Sequence, residues 1–323
     1  MNGAESAGLF SPSSVAWRVL SDPSTALMIA QITNLLEVPH RDFQAVLMGH
    51  DPLFPTNQRR QRGAGAKSGS FHDRLRRTVS VPFPIIFGDR ATAIACARRL
   101  FDYHRPMNGV VAATGDRYSA TDPDAMLFAA TTISHAALIA YENYSVSDAL
   151  LPRRLADPER DRYFRDMAEL AVLMGVPRDR VPVTSAQVAR YYRSLSDRMS
   201  FLPGWTAAQR KTGLTLARPA GLSDLKSTLV DLLLMASAVW GYAALPAPAR
   251  RLHRIPTVLD PVLALVRRSA LPVFWLLRID RVRSFALSRY LGDEAAATLA
   301  DANRRAGVPT RTPTATRGEP SVR

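Results

Sequence analysis

Apolar residues recur at helical spacing along nearly all of the 323-residue chain, and no alternating run longer than a few residues interrupts them. That regularity confines the chain to an all-α architecture, because a sheet needs the period-two strands that this sequence does not supply. The clearest case is 24–37, where Leu27, Met28, Ile32, Leu35 and Leu36 share one face. Further helices are expected at 42–49, 72–86 (interrupted by Pro82 and Pro84), 91–103, 124–144, 160–175 and 185–199. The last third adds 222–245, 257–277, 278–290 and 293–302. Punctuation agrees: Asp122 caps a helix with Pro123 at its first position, Thr184 and Ser185 offer hydroxyl caps, and Gly175 followed by Pro177 closes a helix.

This pattern predicts one globular helical domain over 14–305, a flexible start at 1–13 and a disordered basic tail at 306–323. Residues 51–70 read as loop, with Pro52, Pro55, Gly63, Gly65 and Gly69. Two apolar runs are long enough to compare with a bilayer. The run 229–245 contains Asp231, and 265–277 contains Arg267, Arg268 and Pro272. Charge inside a spanning helix is costly, so both are expected to be buried core helices. Their density in one third of the chain still permits peripheral membrane contact. Residues 1–14 carry Glu5 and neither a basic cluster nor an apolar core, so the expected location is cytoplasmic.

Cys96 is the sole cysteine, which excludes an intrachain disulfide framework and a thiolate zinc site. The net charge of +14 comes without a zinc finger, an RNP motif or a helix-turn-helix pattern. It reads as solvated arginine faces, not as a nucleic-acid surface; an anionic membrane surface is the second reading. The stretch from Gly63 to Ser68 imitates a phosphate loop, but Ala66 stands before Lys67 where glycine is required and no strand precedes it. There is no HExxH, no GxSxG, and no histidine pair at metal-binding helical spacing among the six histidines.

The chemistry concentrates instead in Asp73-Arg74-Leu75-Arg76-Arg77-Thr78 and in His104, on successive apolar helices. A lone histidine on an apolar helix, such as His104 or His135, is usually a hydrogen-bonded core residue. The neighbourhood changes that weighing. Arg74 and Thr78 share a face at i, i+4, and a buried arginine without a carboxylate on its own face needs an anionic partner. A haem propionate would serve, and neutral imidazole is a common axial ligand of haem iron. Glu37 and Asp73 are merely the nearest carboxylates in sequence, and neither stands out as a general base.

An ordered series of short pieces over about 14–195 carries a family resemblance. It runs from Leu35-Leu36-Glu37-Val38-Pro39-His40 and His50 through Arg74–Thr78, Phe87-Gly88, His104 and Asn108-Gly109. It continues with Tyr118-Ser119-Ala120-Thr121-Asp122-Pro123, Ser134-His135-Ala136-Ala137-Leu138, Tyr141, Gly175-Val176-Pro177 and Val181-Pro182. In these pieces the chain resembles the haem oxygenases that include the latex-clearing rubber oxygenase and the endoplasmic-reticulum-bound oxygenase of mycophenolic acid biosynthesis.

The resemblance implies a non-covalent haem b in a helical, globin-like core, with His104 as the metal ligand. It implies that Arg74 pairs a propionate or polarises oxygen, that Thr78 bonds in the same pocket with Arg77 nearby, and that His135 is a second recurrent histidine at the cofactor. Arg77 stands where the rubber oxygenase has a lysine able to occupy the distal iron site. Arginine stays protonated, so the sixth position is expected to be open or water-filled. Ile133 and Ser134 stand where relatives carry a tryptophan, which alters the local pocket. The expected activity is haem-dependent oxidation of a hydrophobic small molecule, using O₂ or peroxide, in secondary metabolism or isoprenoid or lipid oxidation. The alternatives are a haem-binding protein without turnover and a membrane-peripheral helical interaction protein.

Overall fold

In the computed structural model, residues 8–51, 57, 82–147, 149–205 and 225–306 are described, excepting the side chains of 225–232 and 234. Asp22 starts the central helix: its carboxylate accepts from the Ser24 amide at 2.8 Å, and Pro23 occupies the first turn. The same carboxylate accepts from the hydroxyls of Ser145 (2.7 Å) and Ser147 (2.6 Å), which lie just past the end of a second long helix. One buried carboxylate thus ties the start of α2 (Pro23–Glu37) to the end of α6 (Pro123–Tyr144).

Around this pair run α1 (Val15–Leu20), α3 (Arg41–His50), α4 (Pro82–Phe87), α5 (Arg90–His104), α7 (Asp157–Leu173) and α8 (Ser185–Ser194). Then come α9 (Leu225–Ala244), α10 (Ala247–Leu252), α11 (Asp260–Ser269), α12 (Leu271–Leu276), α13 (Asp280–Leu291) and α14 (Asp293–Arg305). The all-α expectation holds, with one small exception. Asn108–Val110 (β1) and Arg117–Ser119 (β2) form an antiparallel hairpin in which Gly109 faces Tyr118. A Cβ on Gly109 would lie 2.8 Å from the Tyr118 hydroxyl, so the ring crosses over the hairpin only because glycine stands there.

The α2–α6 contact is the most extensive in the fold, with α9 and α13 packed on α2, α7 on α6, and α1 on α7. Leu27, Met28, Ile32, Leu35 and Leu36 are all buried, as their shared face predicts, each contributing about 1.5–3 kcal/mol. Three buried aromatic side chains donate to backbone acceptors. Trp17 donates to Ala302 O (3.0 Å), Tyr144 to Trp240 O (2.6 Å) and Tyr163 to Ser134 O (2.7 Å). The Trp17 bond fastens α1 to α14, and α14 in turn packs on α4, the helix leading into α5. α6 is long and apolar enough to cross a membrane by length and composition, but 72% of its apolar window is buried among other helices, as in a core helix.

The caps fall where the residues placed them: Asp122 and Thr184 accept from Asp124 N and Gln187 N, and Gly175 adopts φ +91° behind α7. Phe10 is buried and Gly8 bridges Asp89, so residues 8–10 lie against the body of the fold, while 11–13 are exposed. One expectation holds only in part. The run 265–277 breaks at Ala270 into α11, which has no buried residue, and the short α12, where Ala270, Leu271, Phe274 and Leu277 are buried in the main core. Pro272 removes an amide donor there, and α9 covers only one side of α11, leaving Val262 and Leu265 exposed. The run 229–245 is buried on one side only, with Met235 and Val239 exposed. Most of the expected loop at 51–70 (all but 51 and 57), the helical segment 72–81 and the tail from 307 lie outside the described residues.

Candidate functional site

Ala93, Cys96, Ala97, Leu100 and His104 recur at i, i+3, i+4, i+7 and i+11 along α5, so they form one stripe. Ala97 belongs to the main core, and Cys96 and Leu100 pack against it. His104 therefore ends a helix anchored by its own apolar face, half-buried, with the exposed rings of Phe101 and Tyr103 beside it. The Tyr103 ring meets the imidazole edge-on, with centroids 5.4 Å apart.

His104 Nδ1 lies 2.8 Å from Leu100 O. A carbonyl oxygen can only accept, so Nδ1 carries the hydrogen and Nε2 is left with its lone pair. Burial lowers the pKa of this imidazole below its ordinary value, with the Leu100 carbonyl pulling the other way. A neutral ring with one tautomer set by a backbone acceptor is the form in which histidine ligates a metal.

His135 sits mid-way along α6, with Nδ1 3.3 Å from the Tyr192 hydroxyl and rings of Tyr192 and Phe164 at 5.4 and 6.4 Å. Burial, assisted by the charge of Arg160, lowers its pKa to about 4. A hydroxyl can donate or accept, so this bond does not fix the tautomer. The Tyr192 hydroxyl is pushed up by burial and then by the Glu37 carboxylate, which accepts from Thr132 Oγ1 at 2.8 Å. Glu37 with Thr132, both buried, and Tyr192 with His135, both half-buried, thus form two neighbouring polar pairs where α2, α6 and α8 meet.

His40 is a further interior imidazole. It precedes α3, stacks on Phe128 with centroids 4.4 Å apart, and has a buried Nδ1 with no hydrogen-bond partner. Burial takes its pKa to about 4; Asp42 opposes the shift, while Arg198 and Arg41 add to it. The sequence signal for Glu37 and His40 was their place at the end of a strongly apolar helix, where no polar group is needed for packing.

Of the residues singled out from sequence, Arg74, Arg77 and Thr78 lie outside the described residues, as does Asp73. His104 and His135 are placed on different helices and share neither a hydrogen bond nor a ring contact. Two small hollows, one beside Ser134 and Phe164 and one beside Trp240 and Phe274, each have room for about one water molecule and include neither histidine in their walls. Among the described residues no three His, Cys, Asp or Glu side chains stand together as a bare metal site.

The helical body and the backbone-oriented imidazole define an all-α domain with one histidine tautomer fixed at a helix end. The chain belongs to the family described as ER-bound oxygenase mpaB/B′/rubber oxygenase, catalytic domain, whose model matches residues 17–313. It is therefore an oxygenase-type catalytic domain. Comparisons with curated proteins and with solved structures returned no match.

Proposed function

We propose that this protein is a haem b-dependent oxygenase acting on a hydrophobic small molecule, in which His104 would hold the haem iron. The observation that carries this reading is the His104–Leu100 bond, which leaves Nε2 unprotonated at the end of an anchored helix. His135 offers no such fixed tautomer, so its part is to pair with Tyr192. The donor set fits haem better than a bare ion, since a porphyrin brings four nitrogens and asks the protein for one imidazole. When bound, haem would supply the activation of O₂ or peroxide.

The chain's own residues do the rest. Leu100 O holds the ring orientation, and Phe101 and Tyr103 offer apolar surface beside it for keeping water from the cofactor. Arg74 and Thr78 would hold a propionate, with Arg77 as a neighbouring cation. A cytoplasmic enzyme of secondary metabolism or isoprenoid or lipid oxidation is consistent with this reading.

The test is the visible spectrum of purified protein with a pyridine haemochrome assay. His104→Ala should abolish or sharply shift the Soret band, and added imidazole should partly restore it. Arg74→Ala should weaken haem retention. A protein that stays colourless after reconstitution with hemin would overturn the haem assignment. Loss of the band in His135→Ala but not in His104→Ala would overturn the choice of ligand.

A further inference from the structure

We propose that α11, α12 and the adjoining 149–151 turn form a docking face for an anionic lipid bilayer. This proposal stands apart from the haem reading and uses none of its residues. Val258, Val262 and Leu265 follow at four- and three-residue steps into and along α11, and are 78%, 55% and 69% exposed. Just beyond, Trp275, Leu276 and Ile279 are also exposed. The Trp275 indole donates to Leu150 O at 2.8 Å, which holds the exposed Leu150 and Leu151 beside this helix. α9 packs against α11, Trp240 donates to Ser269 Oγ at 3.3 Å, and Met235 and Val239 are exposed one turn apart on α9.

A run of apolar side chains facing water over several adjoining elements marks an interaction surface, not ordinary scatter. The charges beside it indicate what covers it. Arg268, Arg278 and Arg281 are exposed with no described carboxylate in salt-bridge range. The nearby acids are already engaged, Asp260 with Arg250 and Asp280 with Arg283. A second copy of the same face would set these arginines against their counterparts. Anionic headgroups would neutralise them, while the apolar side chains enter the acyl boundary with Trp275 at the interface.

The test uses the full-length protein with vesicles of phosphatidylcholine alone or mixed with phosphatidylglycerol. The protein should co-sediment with the mixed vesicles, less at high salt. The double variant Val262→Ser with Leu265→Ser should lower partitioning about tenfold or more. Arg268→Gln with Arg278→Gln should lower it about fivefold per charge, on the anionic vesicles only.

Trp17, Trp205 and Trp240 are buried, whereas Trp275 is 41% exposed, so quenching by brominated acyl chains reads Trp275 selectively. That quenching should vanish in Trp275→Phe. All substituted positions but Trp275 lie at the surface without a side-chain bond to the core, so unchanged thermal unfolding is expected. The proposal is overturned by absent partitioning or by variants that partition like the wild type. It is equally overturned if vesicle binding is absent and the serine variant instead abolishes a concentration-dependent dimer in sedimentation velocity.

Discussion

His40 makes stability depend on acid in a way that can be worked out from its surroundings. The ring is buried against Phe128, and its Nδ1 has no hydrogen-bond partner. Its pKa falls from 6.5 to about 4, chiefly because burial penalises the charged form. The unfolded chain therefore binds a proton as pH drops through 6.5, whereas the folded chain does not until about 4. Folding stability contributed by the neutral ring is complete above 6.5 and is lost across that window at up to about 1.4 kcal/mol per pH unit. The total is about 3 kcal/mol, a large share of the roughly 5–15 kcal/mol that holds a domain folded.

His40→Phe keeps a flat ring for Phe128 and removes both the proton and the unpartnered nitrogen. Urea unfolding measured from pH 7.5 to 4 should show the variant more stable at neutral pH by about 1 kcal/mol. Its advantage should widen to about 4 kcal/mol near pH 4. Glu142 and Asp166, whose carboxyls burial raises, act in the opposite direction, but they are common to both proteins and cancel in the difference. Curves that stay parallel from pH 7 to 4 would show that His40 is protonated in the folded protein and refute the argument.

Two further outcomes follow from the packing. Tyr144→Phe removes a buried donor to Trp240 O and should cost about 1–3 kcal/mol, read as a lower urea midpoint with an unchanged slope. Gly88→Ala places a methyl against the Pro84 carbonyl oxygen and the Thr92 side chain, so the α4–α5 junction must shift. A loss of about 1–3 kcal/mol is expected, together with faster amide exchange at the start of α5; unaltered exchange there would contradict the steric reading.

Helices whose apolar stripe is repeated over three or more turns were legible residue by residue. α2, α5 and α6 lie within a residue or two of their predicted bounds, because periodicity and caps agree there. The hairpin at 108–119 was not, since strands of three residues are too short to show alternation. It exists because Gly109 admits the Tyr118 ring, whose hydroxyl lies 3.3 Å from His50 Nε2 on α3. His104 was legible as a candidate from its place after Leu100. The hydrogen bond that fixes its tautomer needed coordinates.

What the sequence determined by itself is the all-α class, the helix boundaries set by Asp122, Thr184 and Gly175, and the family, because each depends on local spacing or on an ordered series of motifs. Burial was decided elsewhere. A helical stripe states that one face is apolar, but only the packing of other elements states whether that face is covered. The 265–277 run, apolar enough to predict core, divides: Ala270, Leu271, Phe274 and Leu277 are covered by other elements while Leu265, Trp275 and Leu276 face water, and the polar Glu37 and His40 are enclosed by α6.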